Sequence, residues 1–439
     1  MKFSNLPLSL TDMSAPVIGI ASRTQTPKGL RLHIGLFGRR NAGKSSLINA
    51  LTNQKIAIVS DVPGTTTDPV EKACELAPIG PVVFIDTAGV DDVGELGGLR
   101  TERSLAVLGW VDVALIVCDA KALTESELEL IRTVKSTATP TVVVLNKADT
   151  ADAKELIVTQ EQVRSLGYEP VTVCASQKLN IDAVREAIVK LAQSAVEPDL
   201  PLLGDLVHPG DTVMLVTPID TGAPKGRMIL PQVQAIREVL DADAKCIVVR
   251  ENRLAETLTN EKEPPAFVVT DSQVVQSVVA QTPKTIPVTT FSIQMAYSKC
   301  DLVEMARGAA MIDFLRPGDK VMICETCSHH PQPDDIGRKK LPRWLSKKVG
   351  GELDIEVVVG KDFPVDLTPY KLILQCGGCV VTRRHMLTRL AQAKRQNIPM
   401  TNYGVAISHL QGVLERALEL HPKALKAFHE AREIFANHF

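Results

Sequence analysis

No uninterrupted apolar segment of membrane-spanning length occurs in the 439 residues, so no transmembrane helix is expected. Charge of one sign is missing too: the formal net charge of −2 gives no global attraction to nucleic acid or acidic lipid. No internal repeat or low-complexity stretch stands out. The opening residues lack the charged start and continuous apolar core of a signal peptide. The nine cysteines are odd in number and sit mostly inside apolar runs, which argues against a secreted disulfide framework. Together these absences make the cytoplasm the expected location.

What is present is ordinary globular material, 45% hydrophobic, in a chain long enough for roughly three domains. Residues 1–29 mix Ser, Thr and Pro with short apolar pieces, and are expected to form a loosely ordered N-terminal arm or a mobile contact for a partner. After them the strand-like run Leu32 to Phe37 leads into Gly38-Arg39-Arg40-Asn41-Ala42-Gly43-Lys44-Ser45, followed by Ser46 and an apolar-periodic helix. This is G-x-x-x-x-G-K-S in a strand–loop–helix setting. Its backbone N–H groups wrap phosphates, Lys44 reaches the β- and γ-phosphates, and the Ser45 hydroxyl ligates Mg²⁺.

Further elements follow in the order a GTPase needs. A buried strand, Val82 to Ile85, ends in Asp86-Thr87-Ala88-Gly89, where Asp86 can hold Mg²⁺ through water and Gly89 can sense the γ-phosphate. Another, Val142 to Leu145, ends in Asn146-Lys147-Ala148-Asp149. The Asp149 carboxylate can accept from both guanine N1–H and N2–H₂, which adenine cannot match, and the Lys147 stem can pack along the base. GTP is therefore the expected nucleotide. Cys174-Ala175-Ser176 would set the Ala175 N–H near guanine O6. Pro63 to Pro69 occupies the position of a first switch, with Thr66 as second Mg²⁺ ligand, and Val90 to Arg103 that of a second switch.

This set resembles the Era/TrmE-like, translation-factor-class GTPases over residues 30–195. The resemblance implies that Asn41 helps bind a K⁺ ion, so that Lys44, Thr66 and Asn41 act in catalysis. Val90 stands where Ras-like proteins carry a water-orienting Gln, which predicts slow hydrolysis stimulated by K⁺.

Residues 200–262 carry a compact strand–helix–strand–helix pattern, small for a parallel sheet buried on both faces. The expectation is a dimerisation domain making a homodimer, bounded by Glu261-Lys262-Glu263-Pro264-Pro265. Strands and helices alternate again over residues 266–439. There, Lys320 to Ile323 precedes Cys324-Glu325-Thr326-Cys327-Ser328-His329, and Lys371 to Leu374 precedes Gln375-Cys376-Gly377-Gly378-Cys379. If the two strands are neighbours, both cysteine clusters leave one sheet edge, as a metal or iron–sulfur site requires; redox cysteines or inert packing are the other readings. The basic stretch Arg338 to Lys348 is read as a solvated face, an acidic-partner dock, or, on the thin support of Trp344, an RNA contact.

The combination resembles the [FeFe]-hydrogenase maturation GTPases (HydF-type) over nearly the whole chain. The resemblance implies three α/β domains: a P-loop GTPase with a mostly parallel sheet, a small dimerisation domain and an iron–sulfur cluster-binding domain. It also implies a scaffold that binds a [4Fe–4S] cluster through Cys327, Cys376 and Cys379. Such a scaffold takes a di-iron precursor from radical-SAM maturation enzymes and delivers it to apo-[FeFe]-hydrogenase. The family pattern is Cys-x-His, then His-Cys-x-x-Cys. His329 is thus a candidate fourth ligand, with Gln375 in the place of the second His, and Cys324 is an additional thiol. A tRNA-modifying or ribosome-assembly GTPase with structural zinc is the alternative, and a redox switch a third reading.

Overall fold

The computed structural model describes residues 26–52, 70–87, 106–137, 139–194, 200–204, 206–219, 228–326, 335–361 and 363–437. The first sheet contains β1 (Leu32–Phe37), β2 (Val70–Leu76), β3 (Gly80–Asp86), β4 (Val113–Asp119), β5 (Thr141–Asn146) and β6 (Val171–Thr172), in the order β2-β3-β1-β4-β5-β6. β2 runs antiparallel to β3, while β1 runs parallel to both β3 and β4. Helices cover both faces, so the inner strands are apolar on both: Leu36 and Leu115 face one core, Phe37 and Ile116 the other. The phosphate loop leaves the carboxyl end of β1, where the flanking strands β3 and β4 also end.

The second sheet is parallel and contains β7 (Thr212–Val216), β8 (Lys245–Val249), β9 (Phe267–Thr270) and β10 (Val288–Thr290), in the order β10-β9-β7-β8. The expected boundary at 262–266 falls inside this sheet, because β9 pairs with β7 from Val213↔Phe267 to Val216↔Thr270. Glu261 to Pro265 is the return from the helix Leu254–Asn260 into a parallel neighbour, a crossover that any parallel pair needs. β10 ends at Thr290, whose hydroxyl accepts from the Ile293 N–H (3.1 Å) and caps a helix, Phe291–Lys299.

The third sheet, also parallel, contains β11 (Lys320–Glu325), β12 (Asp354–Val359), β13 (Leu372–Gln375) and β14 (Met400–Asn402), in the order β12-β11-β13-β14. Met322, Cys324 and Ile373 pack on one face with Met305 and Met386, and Val321, Ile323 and Leu374 on the other with Leu341 and Leu345. Charges of the basic stretch are used within the fold: Arg338 pairs with Glu325 (3.1 Å), Lys348 with Asp313 (2.8 Å), and Lys340 Nζ donates to Gln273 (2.7 Å).

The turn Lys28–Leu30, at the end of the expected arm, packs on both later units, against Lys299 of the second and the Cys379 loop of the third. The buried Lys299 Nζ donates to the Gly29 carbonyl (2.6 Å). Among the described residues no helix is long and apolar enough to cross a membrane.

Candidate functional site

A cleft of about 540 Å³ at the carboxyl edge of the first sheet is lined by Asn41, Gly43, Lys44, Ser45, Ser46, Asp86, Asn146, Lys147 and Asp149. The loop that forms it needs its glycines. Gly38 has φ +140, and a Cβ there would lie 2.1 Å from the Val117 carbonyl oxygen. Gly43 (φ +94) leaves room for Asn146, whose Nδ2 would be 2.2 Å from a Cβ. Asn41 is the non-glycine exception at φ +61, a conformation Asn tolerates better than most residues. Lys44 Nζ donates to the Gly38 and Arg39 carbonyls (2.8 and 3.0 Å), which closes the loop around its ammonium.

Asn146 ties the cleft together. Its Nδ2 donates to the Ala42 carbonyl (2.9 Å) and its Oδ1 accepts from the Ala175 N–H (3.0 Å), so the phosphate loop and the base-side loop share one side chain. Both Asp149 oxygens accept bonds of about 3.1 Å, from Cys174 Sγ and Gln177 Nε2, which fixes the carboxylate in the cleft lining.

Ser45 Oγ donates to Asp86 Oδ2 (3.1 Å), while Asp86 Oδ1 is buried without a partner among the described residues. Burial pushes the Asp86 carboxyl above its usual value, with Lys44 opposing. A hydroxyl beside a carboxylate with one oxygen left over fits a divalent cation. Sequence reasoning missed Asp119, which accepts from Lys147 Nζ (3.1 Å) and pairs with Arg39 (3.2 Å). Its signal was the apolar run Val113 to Cys118 that ends at it.

At the other candidate site, β11 and β13 are hydrogen-bonded neighbours, with Cys324 in register with Gln375. The segments after both strands therefore emerge at one edge. Cys376 Sγ accepts from the Thr326 N–H (3.2 Å) and lies 3.1 Å from its hydroxyl. Gly378 turns the loop at φ +67, where a Cβ would meet Met386 Sδ at 2.8 Å. Burial, with Cys376 beside it, pushes the Cys379 thiol up to about 11.

Gln375 is fully buried; its Oε1 accepts from Arg389 (2.9 Å) and its Nε2 reaches Cys376 Sγ (3.5 Å). Cys324 faces the apolar core, and burial pushes its thiol up to about 12. Thr66, Gly89, Cys327 and His329 lie outside the described residues. Among the described residues no group of three or more His, Cys, Asp or Glu converges as a metal ion requires.

Three domain families account for most of this architecture. Residues 33–147 match the 50S ribosome-binding GTPase domain, residues 202–300 the Hydrogen maturase F dimerization domain, and residues 303–420 the Hydrogen maturase F tetramerization domain. The chain belongs to the hydrogen maturase F family. Its fold is α/β, with a P-loop GTPase domain and mostly parallel sheets. The dimerization match spans the sheet β7–β10 and so agrees with the topology rather than with a break at 262. The tetramerization match falls on the unit with the cysteine edge, an assembly role that no residue of the sequence signalled.

Among curated relatives, the tRNA modification GTPase MnmE of Trichormus variabilis is 38% identical over 168 residues, covering 37% of this chain and 35% of that protein. GTPase Der of a Sulfurihydrogenibium species is 34% identical over 174 residues, covering 37% and 39%. The chain thus spans little more than a third of the length of these relatives. Among solved structures, a variant of Aquifex aeolicus Era bound to GDP·AlF4− is similar at 19% identity and a TM-score of 0.32, covering 52% of this chain and 97% of that one.

Proposed function

We propose that this chain is a GTP-hydrolysing iron–sulfur scaffold. It assembles a di-iron precursor, received from radical-SAM maturation enzymes, and delivers it to apo-[FeFe]-hydrogenase in the cytoplasm. In this reading Lys44, Ser45 and the backbone of Gly38, Ala42, Gly43 and Ser46 hold the phosphates. Ser45, Thr66 and Asp86 hold Mg²⁺, Gly89 senses the γ-phosphate, and Asn146, Lys147, Asp149 and Ala175 select guanine. Asn41 holds K⁺, which supplies the positive charge that a missing water-orienting Gln leaves wanting. Hydrolysis is slow, and the protein acts as a homodimer or a larger assembly through its dimerization and tetramerization domains.

The observation that supports the scaffold reading is the pairing of β11 with β13, which brings the segment that continues into Cys327 alongside Cys376. Soft thiolates beside backbone N–H donors fit an iron–sulfur cluster. Cys327, Cys376 and Cys379 are its ligands, with His329 at the remaining corner. A [4Fe–4S] cluster held there would supply an iron corner without a cysteine, at which an incoming precursor would displace His329. Gln375 is committed to Arg389 and Cys324 is a buried thiol facing the core, so neither competes for that corner. Thr326 and Gln375 place donors on the Cys376 sulfur. The tRNA-modifying alternative with structural zinc is not favoured, because residues 202–420 match hydrogen maturase F domains almost throughout.

Anaerobic reconstitution with iron and sulfide tests the reading. The wild-type protein should turn brown with a broad charge-transfer absorption, and Cys327→Ser, Cys376→Ser and Cys379→Ser should each lose iron. Full iron retention in Cys379→Ser, or bound zinc in place of iron, overturns it.

A further inference from the structure

The first and third units meet along a polar seam that neither the nucleotide cleft nor the cysteine edge explains. Its centre is Lys361, just past the end of β12. The Lys361 ammonium pairs with Glu71 of β2 and lies 3.2 Å from the centroid of the Trp110 ring. Glu71 also pairs with Lys28, in the turn that enters β1. Burial pulls Lys361 down to about 8, with Glu71 opposing, so it is still charged at neutral pH.

Each side of this contact leads to a site. On the GTPase side, Glu71 is in register with Ile85, and Val70 with Asp86, the carboxylate proposed to hold Mg²⁺. On the other side, the residue before Lys361 bonds one cysteine-bearing segment directly and reaches the other through Arg389. The Gly360 N–H donates to the Glu325 carbonyl (2.6 Å), at the end of β11. The Gly360 carbonyl accepts from Arg389 Nη2 (2.9 Å), and Arg389 Nη1 donates to Gln375 Oε1 (2.9 Å), next to Cys376. Arg389 and Gln375 are buried at 2% and 0% exposure, where such bonds resist exchange with water. A second contact runs in parallel: a Cβ on Gly29 would lie 2.5 Å from the Cys379 carbonyl oxygen, so the entry to β1 rests directly on the cysteine loop.

We propose that the Glu71–Lys361 contact couples the two sites, so that the nucleotide bound at the cleft sets the reactivity of Cys376 through Gly360, Arg389 and Gln375. This rests on the functional reading above for what each site binds. The coupling itself concerns the thiol and the nucleotide, not the cluster. A shift of Asp86 and its paired strand β2 on exchange of GDP for GTP moves Glu71. Lys361 then carries that movement to the one corner that both cysteine segments share.

Coupling is a free-energy difference between two ligation states, so it is measured as a ratio of rates or affinities. The test uses the metal-free full chain. Alkylation of Cys376 by iodoacetamide is followed by mass spectrometry with Mg·GDP and with a non-hydrolysable GTP analogue, and a fluorescent guanine nucleotide confirms occupancy. In the wild-type protein the two rates should differ by about fivefold or more. In Lys361→Met and in Glu71→Gln, which keep side-chain volume and lose the ion pair, they should become equal while GTP turnover stays at the wild-type rate. Equal Cys376 rates in the wild type at full occupancy overturn the proposal, as does an undiminished ratio in both variants. Failure of iron reconstitution would sink the scaffold reading without changing either rate.

Discussion

At the residue scale the cleft is decided by a few backbone conformations. Asn41 holds φ +61 on the cleft wall with its side chain exposed, which leaves its amide available to a cation and a phosphate together. Replacing Na⁺ by K⁺ should raise wild-type GTP turnover by about tenfold, equivalent to about 1.4 kcal/mol in the barrier. Asn41→Asp keeps the size and tolerates the same φ but exchanges a neutral amide for a carboxylate, and should flatten the salt response. Equal wild-type rates in the two salts would dismiss the K⁺ role. The motif residues were legible because a phosphate loop is local: eight consecutive positions from Gly38 to Ser45 carry the geometry. Asp119 was not, because its partners Arg39 and Lys147 come from different strand ends.

At the element scale, strands with continuous apolar runs were readable to within a residue, as β1 and β5 show. The misses have physical causes. β2, at a sheet edge, reads Val-Glu-Lys-Ala-Cys-Glu-Leu and carries no clean two-residue period, and β14 has only three residues, too few for a period to register. β10 is cut short by a single hydroxyl cap at Thr290, which outweighs the β-branched residues around it.

The third unit's packing hangs on one close approach. Gly308, in the helix Leu302–Ala309, faces the Met400 backbone of β14, where a Cβ would sit 2.0 Å from the carbonyl oxygen. Backbone cannot yield as a side chain can, so the helix must lift from the strand. Gly308→Ala should therefore destabilise the protein by about 1–3 kcal/mol despite its better helix propensity. Urea unfolding reads this as a lower midpoint; an unchanged or higher midpoint would show that helix and strand are not so closely apposed.

At the scale of the whole molecule, the sequence shows the GTPase domain and the α/β units that follow it, because each carries its own period and motifs. The seam between first and third units was invisible, because it joins Lys28, His33, Glu71, Trp110, Lys361 and His385, which share no local pattern. It also makes a pH prediction. His33 packs edge-on to Trp110, which stacks on His385, with ring centroids 6.2 and 6.3 Å apart. Neither ring nitrogen of His33 has a hydrogen-bond partner among the described residues. Burial, then Lys361, lowers the His33 pKa to about 3; burial, then Arg389 and Lys361, holds His385 well below its usual value. Glu71 acts the other way on His33, but Lys28 and Lys299 reinforce the lowering. Both rings are therefore neutral in the folded protein, whereas in the unfolded chain they take up protons below about pH 6.5. The unfolded state then binds more protons, so stability falls as pH drops from about 6.5 toward the folded values, with a slope of up to about 1.4 kcal/mol per pH unit for each ring. Most carboxylates titrate lower, so the window from pH 6.5 to 5 isolates the histidines. Thermal unfolding should show a melting temperature that declines between pH 7 and pH 5, and His33→Phe, which cannot be protonated, should show a shallower decline. A wild-type melting temperature that stays level across this window would mean that these rings are not held neutral at the seam.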